Sequence, residues 1–337
     1  MKGLRPVTLL YTHPSSYEHE TGTHPENAGR IRAIEKAIEE ASPPGLEPTE
    51  APRATREQLA RAHEEAHLDA VESFCAAGGG MIDLDTVASR GSWEAAARAA
   101  GAACDAAERL LAGEDTTAFC ALRPPGHHAE PAKAMGFCLL NQVAVAAEHA
   151  RAHGAERVLI FDWDVHHGNG TEEIFKGSPD VLYASIHGWP LYPGTGDIGY
   201  TGEGAGAGYT VNMPVPNGSG DELFTALTEH VVAPIARAFE PGLIAISAGF
   251  DAHRDDPLAS CDMTAAGFRA MAAQVAGVAS ELGVPVLVCL EGGYDPGALG
   301  QSVVAMLAGL ADGTTDGGSD RALTEPYRER FAANWLV

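Results

Sequence analysis

Short, continuously apolar runs alternate along this chain with longer Ala-rich stretches. The apolar runs predict strands at residues 7–11, 116–122, 157–162, 181–186, 243–248 and 285–290. Most lack a polar face, which is the pattern of strands covered on both sides. The stretches between them predict helices at 92–111, 141–153, 221–239, 263–282 and 297–310. Acidic residues near two helix starts, Glu94 after Ser92 and Glu222 after Asp221, suit the positive end of the helix dipole. Strands alternating with helices imply an α/β fold with a mainly parallel sheet. Gly-rich segments at 78–80 and 194–208 read as loops, and a strand-like stretch resumes at Tyr209. With no internal repeat and no long linker, one domain over 1–337 is expected. Its motif-bearing core is about 7–310; 311–337 reads as a C-terminal surface segment, of which 312–326 looks loose.

Composition narrows the function. The chain carries 46 Asp and Glu against 22 Lys and Arg, a formal net charge of −24. Such acidity excludes a general nucleic-acid binder, which needs cations to neutralise phosphate. It equally disfavours docking on an anionic membrane, and no stretch approaches the roughly 18 apolar residues of a membrane span. The six Cys are scattered, without a C-x-x-C pair, and several lie in apolar runs. Together with an N-terminus lacking a leader pattern, this points to a reducing cytoplasm.

Chemistry gathers at the C-terminal ends of the strands. Residues 116–122 lead into RPPGHHAE, 157–162 into WDVHHGNG, 243–248 into GFDAHRDDP, and 285–290 into EGGYDP. In an open parallel sheet the ligand crevice lies at those ends, so the four loops should converge. Asp162, Asp164 and His166 are two apart and would project to one side of an extended segment. Carboxylates plus an imidazole suit zinc or a similar divalent ion, and Asp251 would complete three protein ligands with a position left open. His127 and His128 follow a rigid Arg-Pro-Pro-Gly turn, and two imidazoles beside a metal can hold different protonation states. Tyr294, after Glu291-Gly292-Gly293, is a phenol able to donate to a developing oxyanion.

The segments RPPGHHAE, GFCLLNQVAVAA, FDWDVHHGNGT, YPGTGDIG, SAGFDAHRDDPL and LEGGY, in this order, resemble the zinc-dependent histone deacetylase superfamily. The details are similar to its class II and bacterial branch, which includes histone-deacetylase-like amidohydrolases and acetylpolyamine amidohydrolases. The resemblance implies the arginase/deacetylase fold, a three-layer α/β/α sandwich with about eight strands in its central sheet. It implies one Zn²⁺, with Fe²⁺ as a substitute, held by Asp164, His166 and Asp251. His128 would be general base and then acid, His127 its electrostatic partner paired with Asp162, and Tyr294 the carbonyl polariser. Asn169 stands where class I members have an Asp, which leaves His128 without an assumed carboxylate partner. Gly136, Phe137 and Tyr192 would line the acyl-lysine tunnel, Asp85 would hold the substrate backbone at the rim, and Leu258 and Gly292 would add substrate contacts. The resemblance also implies K⁺ at two places, one at Asp162, Asp164, His166, Ser185 and Ile186, the other at Phe175, Ser178, Val181 and Tyr209.

The expected reaction is removal of acyl groups from acyl-lysine in proteins or from small acylamines, releasing a carboxylate. In polyamine-selective relatives a Glu gatekeeper follows the Asp-Pro of this loop; here the position is Leu258, which favours acyl-lysine over acetylpolyamine. An arginase-like ureohydrolase would want a second metal's ligands, which this pattern lacks. A non-catalytic acyl-lysine-binding module would be expected to lose Tyr294 or a histidine, and all are present. The oligomeric state is left open.

Overall fold

The computed structural model of the chain describes residues 8–313 and 318–335. Val7, the expected start of the first strand, and tail residues 314–317 and 336–337 lie outside the described residues. In chain order the strands are β1 (Thr8–Thr12), β2 (Leu46–Glu50), β3 (Gly79–Met81), β4 (Val87–Ser89), β5 (Thr117–Cys120), β6 (Val158–Asp162), β7 (Val181–Gly188), β8 (Thr210–Val215), β9 (Leu243–Ala248) and β10 (Val286–Leu290). Eight of them form one sheet in the order β2-β1-β5-β10-β9-β6-β7-β8. Every pairing in that sheet is parallel. Strands β3 and β4 pair antiparallel outside it.

The apolar runs explain this layering. Side chains alternate across a strand, so β6 sends Leu159 and Phe161 to one face and Val158 and Ile160 to the other. The first pair packs with Ile244, Ile246, Val286 and Val288, and the second with Leu243, Ala245 and Leu287. Helices Gly29–Ala41, Ala265–Leu282 and Pro296–Asp312 cover the first face through residues such as Ile31, Met271 and Val303. Helices Ser92–Leu111 and Gln142–Ala152 cover the second through Ala103, Leu110 and Val143. Local capping fixes the starts: the side chains of Asn141, Thr264 and Asp295 accept from the backbone N–H of Ala144, Ala266 and Ala298 at 3.0, 3.2 and 2.8 Å. The helix expected over 221–239 is continuous in direction but passes through a π-type turn at Thr228–Val232.

The elements that periodicity missed lie at the sheet margins. Strand β2 reads Leu-Glu-Pro-Thr-Glu and is largely exposed at the sheet edge, where Pro48 is tolerated. Helix Gly29–Ala41 buries only Arg30, Ile31 and Ile34, a narrow stripe among charges. The C-terminal segment stays at the surface but is tied to the body beyond the stretch read as loose. Helix Glu325–Phe331 buries Phe331. Arg330 donates to the carbonyls of Ile198 and Gly199 at 3.1 and 2.7 Å, and Trp335 Nε1 donates to Gly208 at 2.8 Å. One buried aromatic on two short turns is too sparse a pattern to signal a helix. Among the described residues, no helix is long and apolar enough to cross a membrane.

Candidate active site and metal group

The loops after β5, β6, β9 and β10 converge, and these strands are consecutive in the sheet as β5-β10-β9-β6. Strand β6 ends at Asp162, whose Oδ1 accepts the N–H of Asp164 at 3.1 Å and turns the chain out of the extended form. That turn divides the expected trio. Asp162 faces His127 Nδ1 at 3.0 Å and accepts from the Tyr183 hydroxyl at 3.1 Å. Asp164 and His166 face Asp251 instead: His166 Nδ1 lies 3.2 Å from Asp164 and 3.0 Å from Asp251. Donor atoms of Asp164, His166 and Asp251 lie within 4.8 Å of one another.

This group suits a divalent cation. Both carboxylates are buried, and burying two like charges side by side demands positive charge between them. The His166 ring reports that demand. Burial alone would lower its pKa, but hydrogen bonds to Asp164 and Asp251 raise it to about 10. Backbone donors hold the carboxylates from behind: Gly292 N–H donates to Asp164 Oδ2 at 2.8 Å and Val165 N–H to Asp251 Oδ1 at 2.9 Å. A Cβ on Gly292 would lie 2.1 Å from Asp251 Oδ2 and 2.6 Å from Asp164 Oδ2, so only glycine lets the backbone approach this closely.

The two histidines differ as their partners do. Their rings are 4.0 Å apart. Burial opposes protonation of His127, but the Asp162 and Asp164 carboxylates outweigh it and push its pKa up to about 10. His128 is held well below the ordinary histidine range by burial and by the positive charge of His127 and His166. Its Nδ1 meets Asn169 Oδ1 at 2.8 Å, and Asn169 Nδ2 donates to Glu130 Oε1 at 2.8 Å. Glu291, buried after β10, accepts from the N–H groups of Gly126 and His127 at 2.6 and 3.2 Å and so fixes the turn that carries the pair.

Around this centre, Tyr192 meets His128 edge-on at 5.2 Å, and Phe137 meets Tyr294 edge-on at 5.7 Å. Gly136, with φ +57°, lies against His128, where a Cβ would sit 2.4 Å from its Cδ2. Asp85 sits between β3 and β4; its neighbour Thr86 accepts the Phe137 N–H at 3.1 Å, and its carbonyl faces His24 Nε2 at 3.0 Å. Leu258 is tied in through Asp256, whose Oδ1 accepts the Leu258 N–H at 2.9 Å and whose Oδ2 accepts the Tyr294 N–H at 2.6 Å. Of the positions singled out for K⁺, Ser185 pairs in register with Asp162, and Ile186 follows it on β7. Phe175 accepts from Ser178 N–H at 2.9 Å, Val181 opens β7, and the Tyr209 carbonyl accepts from Tyr183 N–H at 2.9 Å.

Several residues behind the site escaped the sequence reading. Arg30 is buried; its Nε donates to the Gly293 carbonyl at 2.6 Å, its Nη2 donates to the Glu291 carbonyl, and its guanidinium lies 5.0 Å from the Tyr294 ring centroid. Glu26 pairs with Arg30 at 3.2 Å and with Arg123 at 2.5 Å, all three out of solvent. The i, i+4 spacing of Glu26 and Arg30 was the available signal, and it normally marks a solvated helix face.

Fold and site together define a three-layer α/β/α protein of the arginase/deacetylase kind, with a candidate metal group among the strand-end loops. The sequence model of the histone deacetylase domain matches residues 24–310, and the chain belongs to the histone deacetylase family, as a deacetylase-type hydrolase. It is 43% identical over 299 residues to histone deacetylase 15 of Arabidopsis thaliana, covering 87% of this chain and 54% of that protein. The chain thus spans about half of that relative. It is 42% identical to a probable deacetylase of Methanothermobacter thermautotrophicus, covering 90% of each. It is 40% identical to the histone deacetylase-like amidohydrolase of Pseudomonas aeruginosa, over 79% of this chain and 72% of that one. The crystal structure of the HDA15 HD domain superposes with a TM-score of 0.91 at 38% identity, covering 98% of this chain and 96% of that one.

Proposed function

We propose that the chain is a zinc-dependent amidohydrolase that removes acetyl or other acyl groups from acyl-lysine in proteins or from small acylamines. The observation that carries this reading is the Asp164, His166 and Asp251 donor group lying beside two histidines in unlike electrostatic settings. Zinc held by those three residues supplies Lewis acidity, polarising an acyl carbonyl and lowering the pKa of water. His128, kept neutral, takes the proton of the attacking water and returns it to the leaving amine. His127, kept cationic by Asp162, offsets negative charge developing nearby. The Tyr294 hydroxyl donates to the oxyanion as the carbonyl carbon becomes tetrahedral. Gly136, Phe137 and Tyr192 border the acyl chain, and Asp85 holds the substrate backbone at the rim.

Leu258 supports acyl-lysine over acetylpolyamine, because an apolar side chain offers no ion pair to a second ammonium. K⁺ at the Asp162–Ser185 pairing, and at the Phe175–Tyr209 group, belongs to the same reading. A reducing cytoplasm fits six cysteines that are all free and buried. The test is a kcat/KM panel of acetyl-lysine peptide, longer acyl-lysine peptides, acetylputrescine and acetylspermidine. Acetyl-lysine peptide should lead; acetylpolyamines ahead by more than about tenfold, or 1.4 kcal/mol of transition-state binding, would reverse the substrate assignment. A metal count separates the ureohydrolase alternative, which requires two manganese ions per chain.

A further inference from the structure

His128 has two nitrogens, and a general base needs the reacting one bare. Its Nδ1 faces Asn169 Oδ1 at 2.8 Å. An amide can present either its oxygen or its NH₂, so Asn169 alone does not decide which nitrogen of His128 carries the proton. Glu130 decides it. An ionised carboxylate only accepts, so its 2.8 Å contact forces the Asn169 NH₂ toward Glu130 and the Asn169 oxygen toward His128. The His128 Nδ1 must then donate, which leaves Nε2 as the bare nitrogen.

The backbone makes Glu130 a fixed point. Its N–H donates to the Lys133 carbonyl at 2.9 Å, and its carbonyl faces His63 Nδ1 at 3.1 Å. Asn169 opens helix Asn169–Phe175 and is buried, whereas Glu130 is half-buried. We infer that Glu130 is a positioning residue which, acting through Asn169, locks His128 in the tautomer protonated at Nδ1. The inference rests on the reading of His128 as general base. It accounts for an Asn at position 169: the carboxylate is set one amide further out, where it orients the imidazole without pairing with it directly.

The test uses the full metal-loaded chain with nitrogen-15-labelled histidine, together with turnover of an acetyl-lysine peptide. In the wild type, His128 should show a protonated Nδ1 and a bare Nε2. In Glu130→Ala the amide is free to flip. The His128 signal should move toward the Nε2-protonated form, and kcat should fall about tenfold, as for other groups that orient a functional imidazole. KM should change by less than about twofold, because no ground-state substrate contact is removed. In an Asn169→Asp background the partner is a carboxylate that cannot flip, so adding Glu130→Ala should cost less than about twofold. An unchanged tautomer in Glu130→Ala, or equal kcat losses in both backgrounds, overturns the inference. If Glu130→Ala fails to fold, Glu130→Gln keeps the volume and loses the acceptor-only character. It should give mixed tautomers and a reduced kcat, and wild-type behaviour there also overturns the inference. Absence of wild-type turnover would sink the functional reading separately, since the nitrogen-15 signal needs no turnover.

Discussion

Arg30 lies with its guanidinium 5.0 Å from the ring centroid of Tyr294 while its Nε donates 2.6 Å to the carbonyl of Gly293. A buried cation therefore holds the Gly293 carbonyl just before Tyr294 and the ring of Tyr294, the residue expected to hold the oxyanion. Arg30→Ala should lower kcat by about 10- to 100-fold by letting the Gly-Gly-Tyr turn relax. It should also cost about 2 kcal/mol, because the Glu26 carboxylate loses one of its partners. Steady-state kinetics with urea unfolding of the same variant check both; unchanged kcat in a destabilised protein would limit Arg30 to stability.

Tyr294→Phe removes the hydroxyl and keeps the ring against Phe137 and Arg30. Turnover should fall about 10²–10³-fold, the usual cost of an oxyanion donor, with little change in melting temperature. A loss smaller than about threefold would take Tyr294 out of the reacting group.

Gly292→Ala tests the donor group. The new Cβ would lie 2.1 Å from Asp251 Oδ2 and 2.6 Å from Asp164 Oδ2. Zinc affinity, read by competition with a chromophoric chelator, should weaken at least about tenfold in a folded chain. Wild-type affinity would mean that these carboxylates can shift without consequence for the metal.

Acid stability should depend on His63. Burial, reinforced by His67, holds this imidazole down at about 3. Its neutral ring bridges the Glu130 carbonyl and the Asn141 N–H, the latter at 2.8 Å. The unfolded chain takes up this proton below about pH 6.5, whereas the folded chain refuses it until about pH 3. The unfolded state therefore binds more protons across that window, and stability falls as pH drops from 6.5 toward 3. This one group contributes a slope of up to about 1.4 kcal/mol per pH unit. His63→Gln should be less stable near neutrality yet show a shallower acid slope in urea titrations at several pH values. An unchanged slope would assign the acid sensitivity to other buried histidines.

The legible parts of this protein were those where one pattern carries one message. The largely apolar runs of β6, β9 and β10 announced a sheet covered on both faces, and the polar loops after them announced where it opens. The donor group Asp164, His166 and Asp251 was readable because its chemistry is dense in sequence on either side of strand ends. Arg30 and Glu26 were illegible because their i, i+4 spacing is that of an ordinary solvated pair, and only the packing turns it inward. Glu130 was hidden for another reason. Its effect passes through an amide whose orientation is settled by a third residue, and no spacing records that. The tail helix at Glu325–Phe331 was missed because its hold comes from Arg330 and Trp335 reaching distant carbonyls, not from a periodic stripe.

The central quartet of strands has a kinetic implication. Asp164 follows β6, Asp251 follows β9, and the Gly292 N–H that holds Asp164 follows β10. These strands are neighbours in space but far apart along the chain, so no short segment contains the ligand set. Such non-local pairings form late and slowly in folding. On the proposed metal assignment, uptake would be deferred until the middle of the sheet has closed, and the rate of metal capture by a refolding chain would serve as a clock for completion of its core.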